Sequence, residues 1–256
     1  MKLLCLGDVV GRRSVEHLEK KLWNLRSLWG VDLVVVNGEN ASDGNGLLPE
    51  DADRLFSAGA DVITSGNHIF RRKELYPYLE EKPFLLRPAN YPASCPGTGC
   101  AVTDCAGREL LVISLLGTAL MEPLRSPFET ADQLLEQYAH IPLKLVDFHA
   151  ETTSEKKALA CYLDGRVTAV VGTHTHVQTA DSQVLPGGTG FITDLGMTGP
   201  VNSILGVDKV NVIRKFTTHM PVRFEKADGV IQIQGALLEV DNTTNLTRSI
   251  TNVSVL

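Results

Sequence analysis

Five apolar, strand-like runs in this chain are each followed by residues that can bind metal ions or phosphate, and this arrangement most constrains the fold. The runs cover residues 2–6, 33–36, 62–65, 143–146 and 167–171. The polar residues near their ends are Gly7-Asp8, Asn37-Gly38-Glu39-Asn40, Gly66-Asn67-His68, Asp147-Phe148-His149 and His174-Thr175-His176. Loops at the carboxyl ends of strands gather at one edge of an open α/β sheet, where ligands bind. The sequence therefore predicts that these residues converge on one site.

The N-terminal region alternates strands with helices. A helix over about 13–29 is predicted by apolar residues that recur every three or four positions, at Val15, Leu18, Leu22, Leu25 and Trp29. Pro49 opens a second helix, which Gly59 ends. This βαβαβ order indicates a parallel sheet with right-handed crossovers.

The middle and the C-terminal part read differently. Residues 101–103 and 109–115 flank a turn and predict a hairpin. Ser126 with Glu129, and Thr152 with Glu155, form capping boxes that open two helices. The C-terminal part is predicted to be mostly β, with a long hairpin over 229–240 and 246–255. We expect two packed sheets with helices outside, in one domain over residues 1–256.

Charge and composition limit the partners. A net charge of −6 argues against wrapping a long nucleic acid, which needs clustered Lys and Arg. No apolar stretch approaches the ~20 residues that cross a bilayer, so no membrane association is expected. The chain has five cysteines, and Cys95, Cys100 and Cys105 are evenly spaced but do not form a CxxC motif. Reduced thiols in a cytoplasmic protein are the interpretation that we adopt.

The candidate donors are oxygen and imidazole groups without a thiolate, which favours Mn, Fe or Zn. In an extended segment, His174 and His176 would share one face and so converge on the same site. Taken alone, each motif also has an ordinary interpretation, such as a Gly-Asp turn, a hydrogen-bonded histidine or a chance His-x-His pair. Together, six donors exceed what one open catalytic metal holds: Asp8, Glu39, Asn67, His149, His174 and His176.

Such a set suits two ions ~3.5–4 Å apart that clamp the attacking and leaving oxygens of an in-line displacement. A bridging hydroxide would attack phosphorus. His68, which is not needed as a ligand, would protonate the leaving alkoxide as general acid.

The order of these motifs resembles the calcineurin-like metallophosphoesterase superfamily and, within it, the YmdB-like bacterial phosphodiesterase family. The resemblance spans almost the whole chain. Its segments are GDVVG (7–11), NGEN (37–40), GNH (66–68), RPANYP (87–92), DFHAETTSEK (147–156), GTHTHVQTAD (172–181), DLGMTGP (194–200) and MPVRFE (220–225).

The resemblance implies a four-layer α-β-β-α sandwich and hydrolysis of cyclic nucleotide phosphodiesters, including 2′,3′-cyclic ones, with iron or manganese. It also implies a homo-oligomer. Asp8, Glu39 and His176 would bind one metal ion. The second would be bound by Glu39, Asn67, His149 and His174. Asn40 would lie near metal or phosphate, and His68 would be the general acid.

Some positions depart from the family pattern. The superfamily's usual Asp-x-His is Gly7-Asp8-Val9 here, and Arg12-Arg13 and Gly117-Thr118 stand where Pro-Gly and Gly-Arg are usual. These changes leave the ligands intact and bear on substrate preference. Two rival functions remain open. One is a metal-dependent amidohydrolase, which also uses His-x-His, and the other is a regulatory or scaffold protein whose role needs no turnover.

Overall fold

The structure is a computed structural model that describes residues 1–256. Its strands, in chain order, are β1 (Lys2–Leu6), β2 (Asp8–Val9), β3 (Leu33–Asn37), β4 (Val62–Thr64), β5 (Cys100–Cys105), β6 (Arg108–Leu116), β7 (Leu143–His149), β8 (Ala169–Thr173), β9 (Gln183–Val184), β10 (Gly190–Ile192), β11 (Met197–Pro200), β12 (Ile231–Val240) and β13 (Thr247–Val255). Its helices are α1 (Arg12–Trp29), α2 (Pro49–Ala58), α3 (Leu75–Glu81), α4 (Pro127–Gln137), α5 (Thr153–Tyr162) and α6 (Lys209–Thr218), with a short 3₁₀ helix at Ile69–Arg71. None of these helices has both the length and the apolar character that a bilayer crossing demands.

The strands form two mixed sheets. The first has the order β2-β11-β12-β1-β3-β4, with β13 beside β12, and its β1, β3 and β4 are parallel. The second has the order β5-β6-β7-β8-β10-β9, in which β6, β7, β8 and β10 are parallel. The predicted hairpins are present as the antiparallel pairs β5–β6 and β12–β13.

Three apolar cores separate four layers. Alternate residues of β1 face opposite sides of the first sheet: Leu4 and Leu6 pack with the α1–α3 side chains, whereas Leu3 and Cys5 pack between the two sheets. Residues of β6 alternate in the same way between the inter-sheet core and a third core against α4 and α5. Because both faces of each sheet are covered, the central strands are continuous apolar runs. The predicted α-β-β-α sandwich is confirmed.

Several local predictions were wrong. The run at 143–146 continues as β7 to His149, so Asp147 and His149 lie within the strand. The C-terminal part, which we predicted to be mostly β, also contains α6, a helix that we did not predict. Asp208 caps this helix by accepting from the Val210 and Asn211 amides. Its β-branched residues, including Val210 and Ile213, have a lower helix propensity because their side chains are stiff at χ1.

Candidate metal centre

The structure brings all of the predicted site residues to the carboxyl edges of the two sheets. Asp8 begins β2, and His149 is the last residue of β7. The remaining residues follow β3, β4 and β8, and they are Glu39, Asn40, Asn67, His68, His174 and His176. Asp8, Glu39 and His149 are fully buried. The two sheets therefore contribute to one polar cluster at the edge that the sequence predicted.

His149 lies at the centre of one half of this cluster. Its Nε2 atom lies 3.2 Å from Glu39 Oε1, 3.1 Å from Asn67 Oδ1 and 3.0 Å from His174 Nδ1. The potential ligand atoms of Glu39, His149 and His174 all lie within 4.8 Å of one another. His174 presents Nδ1 to this group, while its Nε2 lies 2.9 Å from the Glu151 carboxylate. Four donors from four separate segments thus meet at one point.

Asp8 and His176 form the other half. Asp8 Oδ1 lies 3.4 Å from His176 Nε2. The Asn40 Nδ2 atom lies between the halves, 3.4 Å from Asp8 Oδ1, 3.1 Å from Glu39 Oε1 and 3.4 Å from His176 Nε2. Glu39 and Asn40 therefore stand where the two halves join.

His68 lies beside this junction. Its backbone N–H donates to Glu39 Oε2 at 2.9 Å, and its ring Nδ1 lies 2.9 Å from Asn40 Oδ1 and 3.2 Å from Glu39 Oε1. The side chain also lines a cavity of about 320 Å³ together with His174 and His176. Because Nδ1 is engaged, Nε2 is the ring nitrogen that forms no hydrogen bond within the protein.

The His149 ring is oriented by a buried hydrogen-bonded chain. Its Nδ1 lies 2.9 Å from Thr173 Oγ1, and that hydroxyl donates to Asp147 Oδ1 at 2.8 Å. Asp147 also accepts from Asn37 Nδ2 at 3.1 Å and from the Thr64 hydroxyl. Burial raises the pKa of Asp147 to about 6, although the hydrogen bonds that it accepts from Thr64, Thr173 and Asn37 oppose the shift. A hydrogen bond at the far ring nitrogen fixes the tautomer of a metal-binding histidine and raises its basicity.

The segment that carries His174 and His176 is a turn, and our expectation of an extended segment was wrong. Both residues have positive φ angles, 105° and 62°. The His174 N–H donates to Asp8 Oδ2 at 3.0 Å, and the Thr175 N–H donates to Asp194 Oδ2 at 3.0 Å. His176 Nδ1 donates to the Leu205 carbonyl oxygen at 3.1 Å. These contacts direct the two imidazoles to different halves of the cluster.

Asp194 is itself neutralised below the surface. It accepts from Lys156 Nζ at 2.7 Å and from the Gly196 N–H at 2.9 Å. Both side chains of this ion pair are almost completely buried. Breaking a buried pair of this kind is strongly destabilising because the remaining partner is left as an uncompensated charge. The His-x-His turn therefore depends on a buried ion pair.

The carboxylates and imidazoles shift one another's pKa values. Burial raises the pKa of Asp8, but His176 opposes this and brings it down to about 2. Burial also raises the pKa of Glu39, but His149 and His68 outweigh burial and hold that pKa well below its ordinary range. Burial lowers the pKa of His149, whereas Glu39 more than compensates and raises it to about 9. Two buried carboxylates thus remain ionised and attract positive charge to the cluster.

The donor set fits divalent metal ions. Ligand atoms bound at ~2.1 Å to one ion lie roughly 3.0–3.4 Å from one another. The contacts of His149 Nε2, at 3.0 to 3.2 Å, match this spacing. Oxygen and imidazole donors without a thiolate suit iron, manganese or zinc.

A family model described as YmdB-like protein matches residues 4–253. The chain belongs to the YmdB-like family.

A relative from Bacillus subtilis (strain 168), named 2′,3′-cyclic-nucleotide 2′-phosphodiesterase, is 44% identical over 245 residues, which cover 95% of this chain and 93% of the relative. A solved structure described as a novel phosphatase from Mycoplasma pneumoniae superposes with a TM-score of 0.94 at 35% identity, covering 100% of this chain and 93% of that one. A hypothetical protein from Thermus thermophilus superposes with a TM-score of 0.93 at 39% identity, covering 99% and 98%. The YmdB-like resemblance predicted from the motifs is confirmed.

Some residues of this YmdB-like site were quoted in the sequence motifs without a specific role. Asp147 is an acidic residue in an apolar strand, two positions before His149, and residues i and i+2 share a face. This spacing could have indicated from the sequence that Asp147 lies close to His149. The Asp194–Lys156 pair joins residues 38 positions apart, and no local pattern indicates it. Gly66 has a steric role, because a Cβ there would lie 2.1 Å from His149 Cδ2.

Proposed function

We propose that this chain is a metal-dependent phosphodiesterase that hydrolyses small phosphodiesters, with 2′,3′-cyclic nucleotides and, after them, 3′,5′-cyclic nucleotides as substrates. The name of the Bacillus subtilis relative supports the reaction and the substrate class. The observation that carries the proposal is the meeting of Glu39, Asn67 and His174 at His149 Nε2. Donors at this spacing and of these types are what a catalytic metal centre requires.

The proposed cofactors are two ions of iron or manganese, with zinc as the alternative. Asp8, Glu39 and His176 would hold one ion. Glu39, Asn67, His149 and His174 would hold the other, and Asn40 would lie near both. When bound, the ions supply an activated water and neutralise charge on the phosphoryl group.

The other roles belong to the side chains. The Asn40 carbonyl oxygen accepts from His68 Nδ1 and so aims the opposite ring nitrogen at the substrate. From there His68 Nε2 donates its proton to the leaving ribose oxygen as general acid. Thr173 and Asp147 keep the His149 ring oriented, and Asp194 keeps the His174–His176 turn in place.

The test is elemental analysis of the purified protein combined with assays on cyclic nucleotides and on diester, amide and carboxyl ester substrates. We expect two equivalents of iron or manganese and turnover of 2′,3′-cyclic nucleotides. Turnover of an amide in preference to any diester would contradict the proposal and favour an amidohydrolase. Chelation should abolish the activity, and added manganese should restore it.

We also propose a homo-oligomer. Apolar side chains on α6 recur on one face at three-residue spacing and are more than half exposed: Val210, Ile213 and Phe216. Exposed apolar patches of this kind mark association surfaces. Light scattering should give a mass above 27.8 kDa for the wild-type protein and a lower mass for Phe216→Asp.

For location and organisation, we propose a cytoplasmic protein that acts as one domain over residues 1–256. All five cysteines are free thiols, which suits a reducing compartment. Both sheets contribute donors to one site, which supports a single unit.

A further inference from the structure

Two cavities meet beside the candidate metal centre. One, of about 320 Å³, is lined by His68, His174 and His176. The other, of about 550 Å³, lies against residues 223–228 and the 43–45 turn. Asn45, Val207 and Lys226 line both cavities. The two cavities are therefore adjacent, and a phosphate in the first would lie next to the second.

The position of Lys226 at this junction is fixed by the backbone around it. Lys226 pairs with Val207 in a short antiparallel bridge, and the Ala227 N–H donates to the Gly206 carbonyl oxygen at 2.9 Å. Leu205, which precedes Gly206 in the turn between Ile204 and Val207, accepts the hydrogen bond from His176 Nδ1. The same backbone segment thus contacts a predicted ligand and holds the lysine in place.

The Lys226 ammonium is not neutralised. Its Nζ donates to the amide oxygen of Asn45 at 3.1 Å, and it forms no ion pair. The side chain is half-buried and passes over Gly11, where a Cβ would lie 3.5 Å from Lys226 Cγ. Burial lowers the pKa of Lys226, whereas Asp43, Asp8 and Glu39 oppose the shift. A lysine serves as a point charge for phosphate, and a phosphoryl oxygen is the partner that this ammonium lacks.

The larger cavity has a different character. Its charged side chains are three cations and three anions: Arg13, Arg223, Lys226, Asp43, Glu225 and Asp228. Arg13 is paired with Asp228, so its charge is neutralised. A balanced lining is unsuited to a second phosphate group and suits a neutral, polar molecule. Phe224 is 52% exposed, and Arg223 forms no ion pair. A nucleobase can stack on an aromatic ring such as that of Phe224 and on a guanidinium group such as that of Arg223.

We propose that the cavity beside residues 223–228 is a nucleoside subsite, in which Phe224 and Arg223 contact the base while Lys226 binds a non-bridging phosphate oxygen at the junction. This inference rests on the proposed phosphodiesterase function and adds the side chains that select a nucleotide. The volume of about 550 Å³ is within the range of small-molecule sites. Asp43 and Asn45, whose side chains can hydrogen-bond to a base or a ribose, also line this cavity.

The first test compares adenosine 2′,3′-cyclic monophosphate with methyl 4-nitrophenyl phosphate, a diester that lacks a nucleoside, on the manganese-loaded full-length protein. For Phe224→Ala, the ratio of kcat/KM for the nucleotide to that for the small diester should fall about tenfold. Phe84→Ala, a partly exposed phenylalanine outside the cavity, should keep the wild-type ratio. An unchanged ratio in Phe224→Ala overturns the subsite.

The second test concerns the phosphate. Lys226→Met should raise KM for both diesters about tenfold, and Lys226→Arg should restore most of the affinity because the positive charge returns. Lys157→Met removes an exposed lysine on α5 and should change neither KM. Equal KM values in Lys226→Met and the wild type would contradict the phosphate contact.

Calorimetry separates this inference from the proposed function. The wild-type protein should bind adenosine 3′-monophosphate about tenfold more tightly than inorganic phosphate, and Phe224→Ala should lose that advantage. Should the wild type hydrolyse neither diester, the proposed function fails, while the two affinities still decide the subsite. Equal affinity of the wild type for adenosine 3′-monophosphate and inorganic phosphate would overturn the nucleoside subsite.

Discussion

The site combines two groups of donors that are held in different ways. Asp8 and His149 are strand-borne: they lie in β2 and β7, and their side chains are completely buried. His174 and His176 are loop-borne: their side chains are 21% and 13% exposed, and both residues have positive φ angles. Pairing within the sheets fixes the first group. The second depends on a few polar contacts from distant residues, so the two groups should fail for different reasons when the protein is altered.

The largest effect should come from removing a donor of either group. Asp8→Asn and His176→Ala should each lower kcat/KM by more than about a hundredfold, the upper end of what loss of an outer hydrogen-bonding partner causes. Thermal melts should show both variants folded. His140→Ala, an exposed histidine after α4, serves as the control. Full activity in either donor variant would mean that its group is dispensable.

A second change should damage only the loop-borne group. Asp194→Ala leaves Lys156 buried and unpaired, which should cost about 3–5 kcal/mol of stability. The double variant with Lys156→Met should recover most of that stability, as chemical denaturation would show. Its activity should stay low, because the Thr175 N–H has still lost its acceptor. Recovery of activity together with stability would show that Asp194 does not position the turn.

The strand-borne group should determine how the metal-free protein responds to pH. The pKa of His149 rises from 6.5 to about 9 in the folded state. This shift adds on the order of 3 kcal/mol to the free energy of unfolding. The added stability is fully present below pH 6.5 and is lost as the pH rises through 9. Urea denaturation of chelator-treated protein should therefore show decreasing stability from pH 6.5 to 9. His149→Ala should show a shallower slope, in which the raised pKa of His176 still contributes. A wild-type protein without the slope would contradict the buried Glu39–His149 contact.

The smallest expected effect comes from comparing the same substitution at two nearby threonines, Thr173 and Thr175. Thr173→Val removes the hydroxyl that joins His149 to Asp147, so activity should fall about 10- to 100-fold. Thr175→Val is the matched control, because the Thr175 side chain forms no hydrogen bond and only its backbone N–H contacts Asp194. Steady-state kinetics and metal affinity would be measured for both. Similar activity in the two variants would contradict the role of the Thr173 hydroxyl.

These differences also explain what the sequence could predict. The donors could be located because parallel strands direct their carboxyl ends to one edge. The path of the His174–His176 turn could not, because its positive φ angles are imposed by Asp8 and Asp194, which are far away in sequence. Helix α6 was missed because its apolar face lies exposed and its β-branched residues suggest a strand. Lys226 was missed since only tertiary structure brings it to the cavity.

The central claim is that the strand-borne and loop-borne donors share a pair of metal ions. Anomalous diffraction from crystals of the manganese-loaded protein would test it most directly. We predict two peaks ~3.5–4 Å apart on either side of Glu39, one next to Asp8 and His176 and the other next to Asn67, His149 and His174. A single peak, or none among these side chains, would contradict the account.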